Sequence, residues 1–173
     1  MSSRFEKYIE RLLDAEGCYT NTKYDPGNWT GGRIGKGELK GTKFGISAAS
    51  YPNVDIKNLT RDEAIQIYKE DFWEECEADC LPDAVAYSAL DGAVNSGPRQ
   101  SIRWIQKAAG AADDGLWGPR SADAVNRSDP NDLLLRYNAY RLEFMTRLAI
   151  WPKVSVGYAR RIAQNLLYGA EDN

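Results

Sequence analysis

Apolar residues recur at helical spacing along most of this chain, with one long interruption. Phe5, Tyr8, Ile9, Leu12 and Leu13 fall on a single helix face. Ser3 and Glu6 form a capping box at its start. Extending the face by one turn lands on Glu16, and Gly17 then fits a C-terminal cap. From residue 19 to 46 the periodicity is lost. Gly, Asn, Thr and Pro are dense there, which predicts turns and short β-pieces arranged as a small hairpin lobe.

Helical spacing returns with Thr60 and Glu63, a second capping box, followed by Ala64, Ile65, Tyr68, Phe72 and Trp73. Pro82 suits the first turn of a helix running to about Asn95, which Asn95-Ser96-Gly97-Pro98 breaks. A helix through Trp104 and Ile105 follows, and residues 113–121 turn into a short helix. Asp129-Pro130 opens a long helix through Leu133, Tyr137, Tyr140, Phe144 and Leu148, stopped by Trp151-Pro152. A last helix is expected over about 155–168. The pattern predicts a mainly α chain: an α+β fold with a small N-terminal β-hairpin lobe beside a helical body. Such a lobe and body naturally make a cleft.

Composition narrows the chemistry. The chain has 173 residues, enough for one domain with one sizeable core, and a formal net charge of −3. No long-range attraction to nucleic acid or anionic membrane is built in, and Arg160-Arg161 reads as a solvated helix face. There is no histidine. That removes Ser-His-Asp and Cys-His triads and His-ligated zinc, leaving carboxylates, Tyr, Lys and Cys for acid–base work. Cys18, Cys76 and Cys80 are an odd set that argues against a disulfide framework. Cys76 and Cys80 offer at most two metal ligands with no second pair, so neither metal nor cofactor is expected. The N-terminus carries charges throughout and lacks the apolar core of a signal peptide, and no segment has the length of a membrane span.

Two acids stand out. Glu16 continues an apolar helix face at the negative end of the helix dipole, and both surroundings favour its neutral form. Asp25, in the polar turn Asp25-Pro26-Gly27, should stay ionised. Two carboxyls whose environments push their pKa values apart suit glycoside hydrolysis: one protonates the leaving oxygen, the other activates water, attacks, or stabilises the cation-like transition state. The plainer alternative is a Glu before a helix-ending Gly and an ordinary Asp-Pro-Gly turn.

The stretch Glu16-Gly17-Cys18-Tyr19 resembles the Glu-Gly-Gly-Tyr motif of the N-acetylmuramidases of glycoside hydrolase family 108, phage endolysin-like lysozymes of the lysozyme-like superfamily. Asp25-Pro26-Gly27, Thr42-Lys43-Phe44-Gly45-Ile46, Thr60-Arg61-Asp62-Glu63-Ala64 with Ile67-Tyr68, Asp71-Phe72-Trp73 and Ala93-Val94-Asn95-Ser96-Gly97-Pro98 follow in the family's order. Asp114-Gly115-Leu116-Trp117-Gly118-Pro119 resembles the turn of its C-terminal predicted peptidoglycan-binding region. The resemblance runs from about residue 5 to 165. It implies a single lysozyme-like domain over 1–173, with a catalytic part at 1–97 and a helical C-terminal part at 98–173. It makes Glu16 the catalytic acid. Cys18 stands where the family has a second Gly, and residues 29–41 look inserted. Phage-type lysozymes pair a Glu at a helix end with an Asp nine positions later and a Thr shortly after. Glu16 and Asp25 reproduce that spacing. Thr30 fits the Thr by count and Thr42 by the family motif; Thr42 is preferred.

The expected activity is cleavage of the β-1,4 bond between N-acetylmuramic acid and N-acetylglucosamine by an inverting mechanism, lysing bacterial cells. The alternatives are a lytic transglycosylase and a non-catalytic cell-wall-binding or secretion-associated protein. Tyr19, Tyr24 and Trp29 are candidates for stacking on sugars, or for packing under the lobe. Asn95 is a candidate for bonding N-acetyl groups, or for capping its helix. The expected partner is bacterial peptidoglycan, with no nucleic acid, no membrane insertion and a monomeric state. The protein is expected to be made soluble in the cytoplasm and to reach the periplasmic cell wall after release.

Overall fold

The computed structural model describes residues 4–13 and 18–173. Seven α-helices are present among them: α1 (Arg4–Leu13), α2 (Arg61–Tyr68), α3 (Asp83–Ser96), α4 (Pro98–Ala108), α5 (Pro119–Asn126), α6 (Pro130–Thr146) and α7 (Trp151–Asp172). The strands β1 (Thr42–Lys43) and β2 (Ile46–Ser47) pair antiparallel, with Thr42 opposite Ser47 and Lys43 opposite Ile46. The fold is mainly α and lysozyme-like, with a small β-hairpin. The chain clusters into two compact units, residues 1–69 and 70–173. No described helix is long and apolar enough to cross a membrane.

In the N-terminal unit, α1 buries Phe5, Tyr8, Ile9, Leu12 and Leu13, the face its spacing predicts. The cap at Ser3 and the turn through Glu16 and Gly17 lie outside the described residues. The hairpin turns through Phe44 and Gly45, both at positive φ (52° and 77°). A two-residue hairpin loop needs that geometry to match the twist of its strands. Gly45 adopts it freely, whereas Phe44 is held in it by its carbonyl, which accepts from the Tyr68 hydroxyl at 2.9 Å. The Thr60–Glu63 capping box is formed with both arms, and α2 starts where it directs.

The C-terminal unit is a bundle around α3, which buries every residue from Ala84 to Ala93 and packs against α4, α6 and α7. Gly92 is what lets α6 approach: a β-carbon there would fall 2.0 Å from the Tyr137 hydroxyl. That hydroxyl is within 2.9 Å of Ser101 Oγ, which donates to the Ala89 carbonyl. The turn before α5 closes on buried Gln106, whose Nε2 donates to Asp114 Oδ1, the Leu116 carbonyl and Ser121 Oγ, while its Oε1 accepts from the Gly115 N–H.

Three boundaries differ from expectation. Trp151-Pro152 starts α7 rather than stopping α6, and α7 runs to Asp172. Proline lacks only a donor that a first helical turn leaves unused, so the same dipeptide serves either end. Pro82 stands just before α3 rather than inside it. A π-helical stretch, Lys69–Glu74, follows α2 and buries Trp73.

Candidate active site on the N-terminal unit

Asp25 heads a short 3-10 turn, Pro26–Asn28, and its Oδ1 accepts from the Gly27 N–H at 2.9 Å. Its carboxylate is exposed. Oδ2 takes no hydrogen bond among the described residues, so one oxygen is fixed by the turn while the other faces solvent.

The turn delivers Asn28, which is fully buried and bonded on every side. Its N–H donates to the Asp25 carbonyl. Its carbonyl accepts from the N–H groups of Lys40 (3.0 Å) and Gly41 (3.1 Å). Its Nδ2 donates to the Thr22 carbonyl at 3.0 Å, and its Oδ1 accepts from the Thr42 hydroxyl at 2.7 Å. One neutral amide thus joins the Asp25 turn to the start of β1. Thr42 is further fixed by exchanging both backbone hydrogen bonds with Thr20 (2.8 and 2.9 Å). Because its hydroxyl proton is committed to Asn28, the Thr42 oxygen is left as an acceptor.

Residues 29–41 form a closed irregular hairpin, bridged at Trp29 and Leu39. Thr30 belongs to its closure: its N–H donates to the Glu38 carbonyl (3.0 Å) and its Oγ1 accepts from the Glu38 N–H (2.9 Å). Trp29 is half-buried, and its indole N–H donates to the Lys23 carbonyl at 3.1 Å. Tyr24 is 75% exposed, with the Lys23 ammonium 5.3 Å from its ring centre. Tyr19 is half-buried and lies against Gly41. Cys18 is an exposed free thiol.

Of the residues singled out from sequence, the structure brings Asp25 and Thr42 onto a common buried partner and keeps Thr30 in a loop of its own. Asn95 belongs to the C-terminal unit, exposed in the last turn of α3; the cap is Gly97, not Asn95. Glu16 lies outside the described residues. Asn28 was missed. An asparagine after Asp-Pro-Gly reads as one more turn residue, and its burial has no signature in the local pattern.

The family model described as Glycosyl hydrolase 108 matches residues 9–97, more than half of the chain. The chain belongs to this family. Among solved structures, the chain is similar to that titled "Structure of Brucella abortus SagA", with 25% identity and a TM-score of 0.82 over 97% of this chain and 94% of that one. No curated protein matches. The family-108 match includes Glu16, Asp25, Thr42 and Asn95, and it supports glycoside hydrolysis of a carbohydrate substrate.

Proposed function

We propose that this family-108 chain is a peptidoglycan hydrolase of the N-acetylmuramidase type, cutting the β-1,4 bond from N-acetylmuramic acid to N-acetylglucosamine. The observation that carries the reading is a family match that spans both candidate carboxylates and the threonine joined through Asn28 to the Asp25 turn. Glu16 acts as general acid, giving its proton to the leaving glycosidic oxygen. Asp25 acts as base on the attacking water, or as an electrostatic stabiliser. A water that donates one hydrogen to Asp25 Oδ2 and the other to Thr42 Oγ1 keeps a lone pair for the anomeric carbon. The threonine oxygen suits this because its own proton is already given to Asn28. A water between protein and sugar implies inversion. Tyr24, Trp29 and Asn95 serve substrate binding, and residues 98–173 complete the same domain, with the cavity of about 710 Å³ beside Gln106 as a place for wall contact. The protein acts alone, without a cofactor, on the cell wall after release from the cytoplasm.

The test is digestion of purified peptidoglycan by wild type and Glu16→Gln, with products read by mass. Glutamine keeps size and hydrogen bonding but delivers no proton, so hydrolysis should fall by a factor of roughly 10² or more while the fold persists. Reducing-end products support the hydrolase. 1,6-Anhydro products would assign a lytic transglycosylase, and a folded, fully active Glu16→Gln would remove the acid from the mechanism.

A further inference from the structure

The N-terminal unit carries a concavity of about 320 Å³, lined by Tyr19, Leu39, Lys40, Asn53, Asp55 and Lys57. Tyr19, one of its walls, packs where a side chain is missing. Gly41 has φ +87°, and a β-carbon there would fall 2.7 Å from Tyr19 Cε2 and 2.5 Å from the Thr20 carbonyl. The tyrosine ring therefore lies over bare backbone and is fixed as a platform. The rim is also fixed. Lys40 Nζ donates to the Pro52 carbonyl at 2.7 Å, and Lys43 Nζ donates to the Lys57 carbonyl at 3.2 Å, which holds residues 52–57 against the hairpin. Asp55 Oδ2 accepts from Asn58 Nδ2 at 2.8 Å. The backbone of the rim is therefore held in place before a ligand arrives.

The concavity is distinct from the Asn28 cluster. Thr20 and Thr42 are paired across an antiparallel bridge. None of Asp25, Asn28 and Thr42 lines the concavity, and the Thr42 hydroxyl turns to Asn28.

We propose that this groove is a second carbohydrate site, holding one acetamido-sugar unit of the polymer away from the reacting bond. Each lining group has a matching function on such a sugar. The Tyr19 ring offers a flat apolar face to a pyranose. The Asn53 amide both donates to and accepts from an N-acetyl group, the Asp55 carboxylate accepts from hydroxyls, and the exposed Lys57 ammonium donates. The volume lies at the small end of ligand pockets and suits a single ring. The inference rests on the hydrolase reading for its choice of polymer and for the place of the reacting bond.

The test uses full-length, catalytically disabled Glu16→Gln protein, labelled with ¹⁵N and titrated with the tetramer of N-acetylglucosamine. Two sets of amide shifts are expected, one at Tyr19, Asn53, Asp55 and Lys57 and one at Asn28 and Thr42, with separate midpoints. Asn53→Ala combined with Lys57→Glu, both at exposed positions, should weaken the first set by about fivefold, the loss of one or two hydrogen bonds of modest net worth, while the second set keeps its midpoint. Absence of the first set, whatever the second does, overturns the proposal. So does a first set indifferent to the double variant, or one reproduced by a sugar-free polyanion and suppressed by salt. Failure of wild type to release sugars from peptidoglycan counts against the hydrolase reading alone, because the groove is read by binding in the disabled protein.

Discussion

Asn28 and Asp91 are buried polar residues, one in each unit, and they do different work. Asn28 is neutral, and its partners are four backbone groups and one hydroxyl between Thr22 and Thr42, so it fastens turns that have little apolar surface of their own. Asp91 is charged, and its partners are side chains far along the chain. Arg141 Nη2 sits 2.7 Å from Oδ2, Arg161 binds Oδ1 through Nη2 (2.6 Å) and Nε (2.8 Å), and Asn165 Nδ2 donates to Oδ2 at 3.0 Å. The first device places chemical groups in irregular backbone. The second registers α6 and α7 against α3 in a bundle whose stability comes from apolar burial. The two units should therefore fail differently when each device is removed.

The largest effect on stability is expected at Asp91. Asp91→Ala leaves two guanidinium groups without their anion, and Arg141 is wholly buried with Nε and Nη1 lacking hydrogen-bond partners among the described residues. Breaking a buried pair in this way should cost roughly 3–5 kcal/mol, read as a lower urea midpoint. Burial alone would raise the Asp91 carboxyl, but Arg141 and Arg161 outweigh it and hold the group below the ordinary carboxylate value. A depressed pKa contributes stability that is present above the unfolded value, about 3.9, and lost as pH falls through the lower folded value. Asp91→Asn should therefore flatten the fall in stability below about pH 4. An unchanged acid profile would show that Asp91 is not the titrating group.

Asn28→Ala should cost less stability and more function. It strips the Thr42 hydroxyl and Thr22 carbonyl of a buried partner, for roughly 1–3 kcal/mol. It also releases the Thr42 hydroxyl from the segment that carries Asp25, while the backbone bonds of both stay in place. Peptidoglycan hydrolysis should then drop further than the loss of folded protein explains. Hydrolysis that simply tracks the folded fraction, measured on the same samples, would reduce Asn28 to a structural role and erase the contrast with Asp91.

Local signals were legible in the sequence, and long-range ones were not. The α2 start was written in Thr60 and Glu63. Glu63 Oε2 accepts from the Thr60 N–H at 2.8 Å, and Thr60 Oγ1 accepts from the Glu63 N–H at 3.2 Å. Thr60→Ala should accordingly lower the thermal midpoint by an amount equivalent to about 1 kcal/mol. The α1 face was legible for the same reason: it is decided within a few residues. Asn28 was not, because its partners lie up to 14 residues away across a loop, and a turn asparagine looks alike in water and in a core. Asp91 and its arginines are 50 and 70 residues apart, so no window of sequence holds the pair. The start of α7 was lost because Trp-Pro ends one helix as readily as it begins another. What spacing left open at Glu16, only the resemblance supplied.

The smallest effect separates the two threonines that the sequence left in competition. Thr30→Val keeps the β-branched shape and removes only the acceptor for the Glu38 N–H, a group in an exposed part of the loop that water can serve instead. Its cost should stay below about 1 kcal/mol, and hydrolysis should match wild type. Thr42→Val removes a donor from Asn28 Oδ1 in a buried position and, with it, the oxygen proposed to receive a hydrogen from the attacking water. Its rate should fall, while Thr42→Ser, which restores the hydroxyl, should recover most of it. The comparison needs only initial rates on peptidoglycan together with a thermal melt for each variant. A reversed order, with Thr30→Val inactive and Thr42→Val intact, would move the water-holding role to the residue that matches the phage-type spacing by count, and would make the Asn28–Thr42 bond a fastening of the hairpin alone.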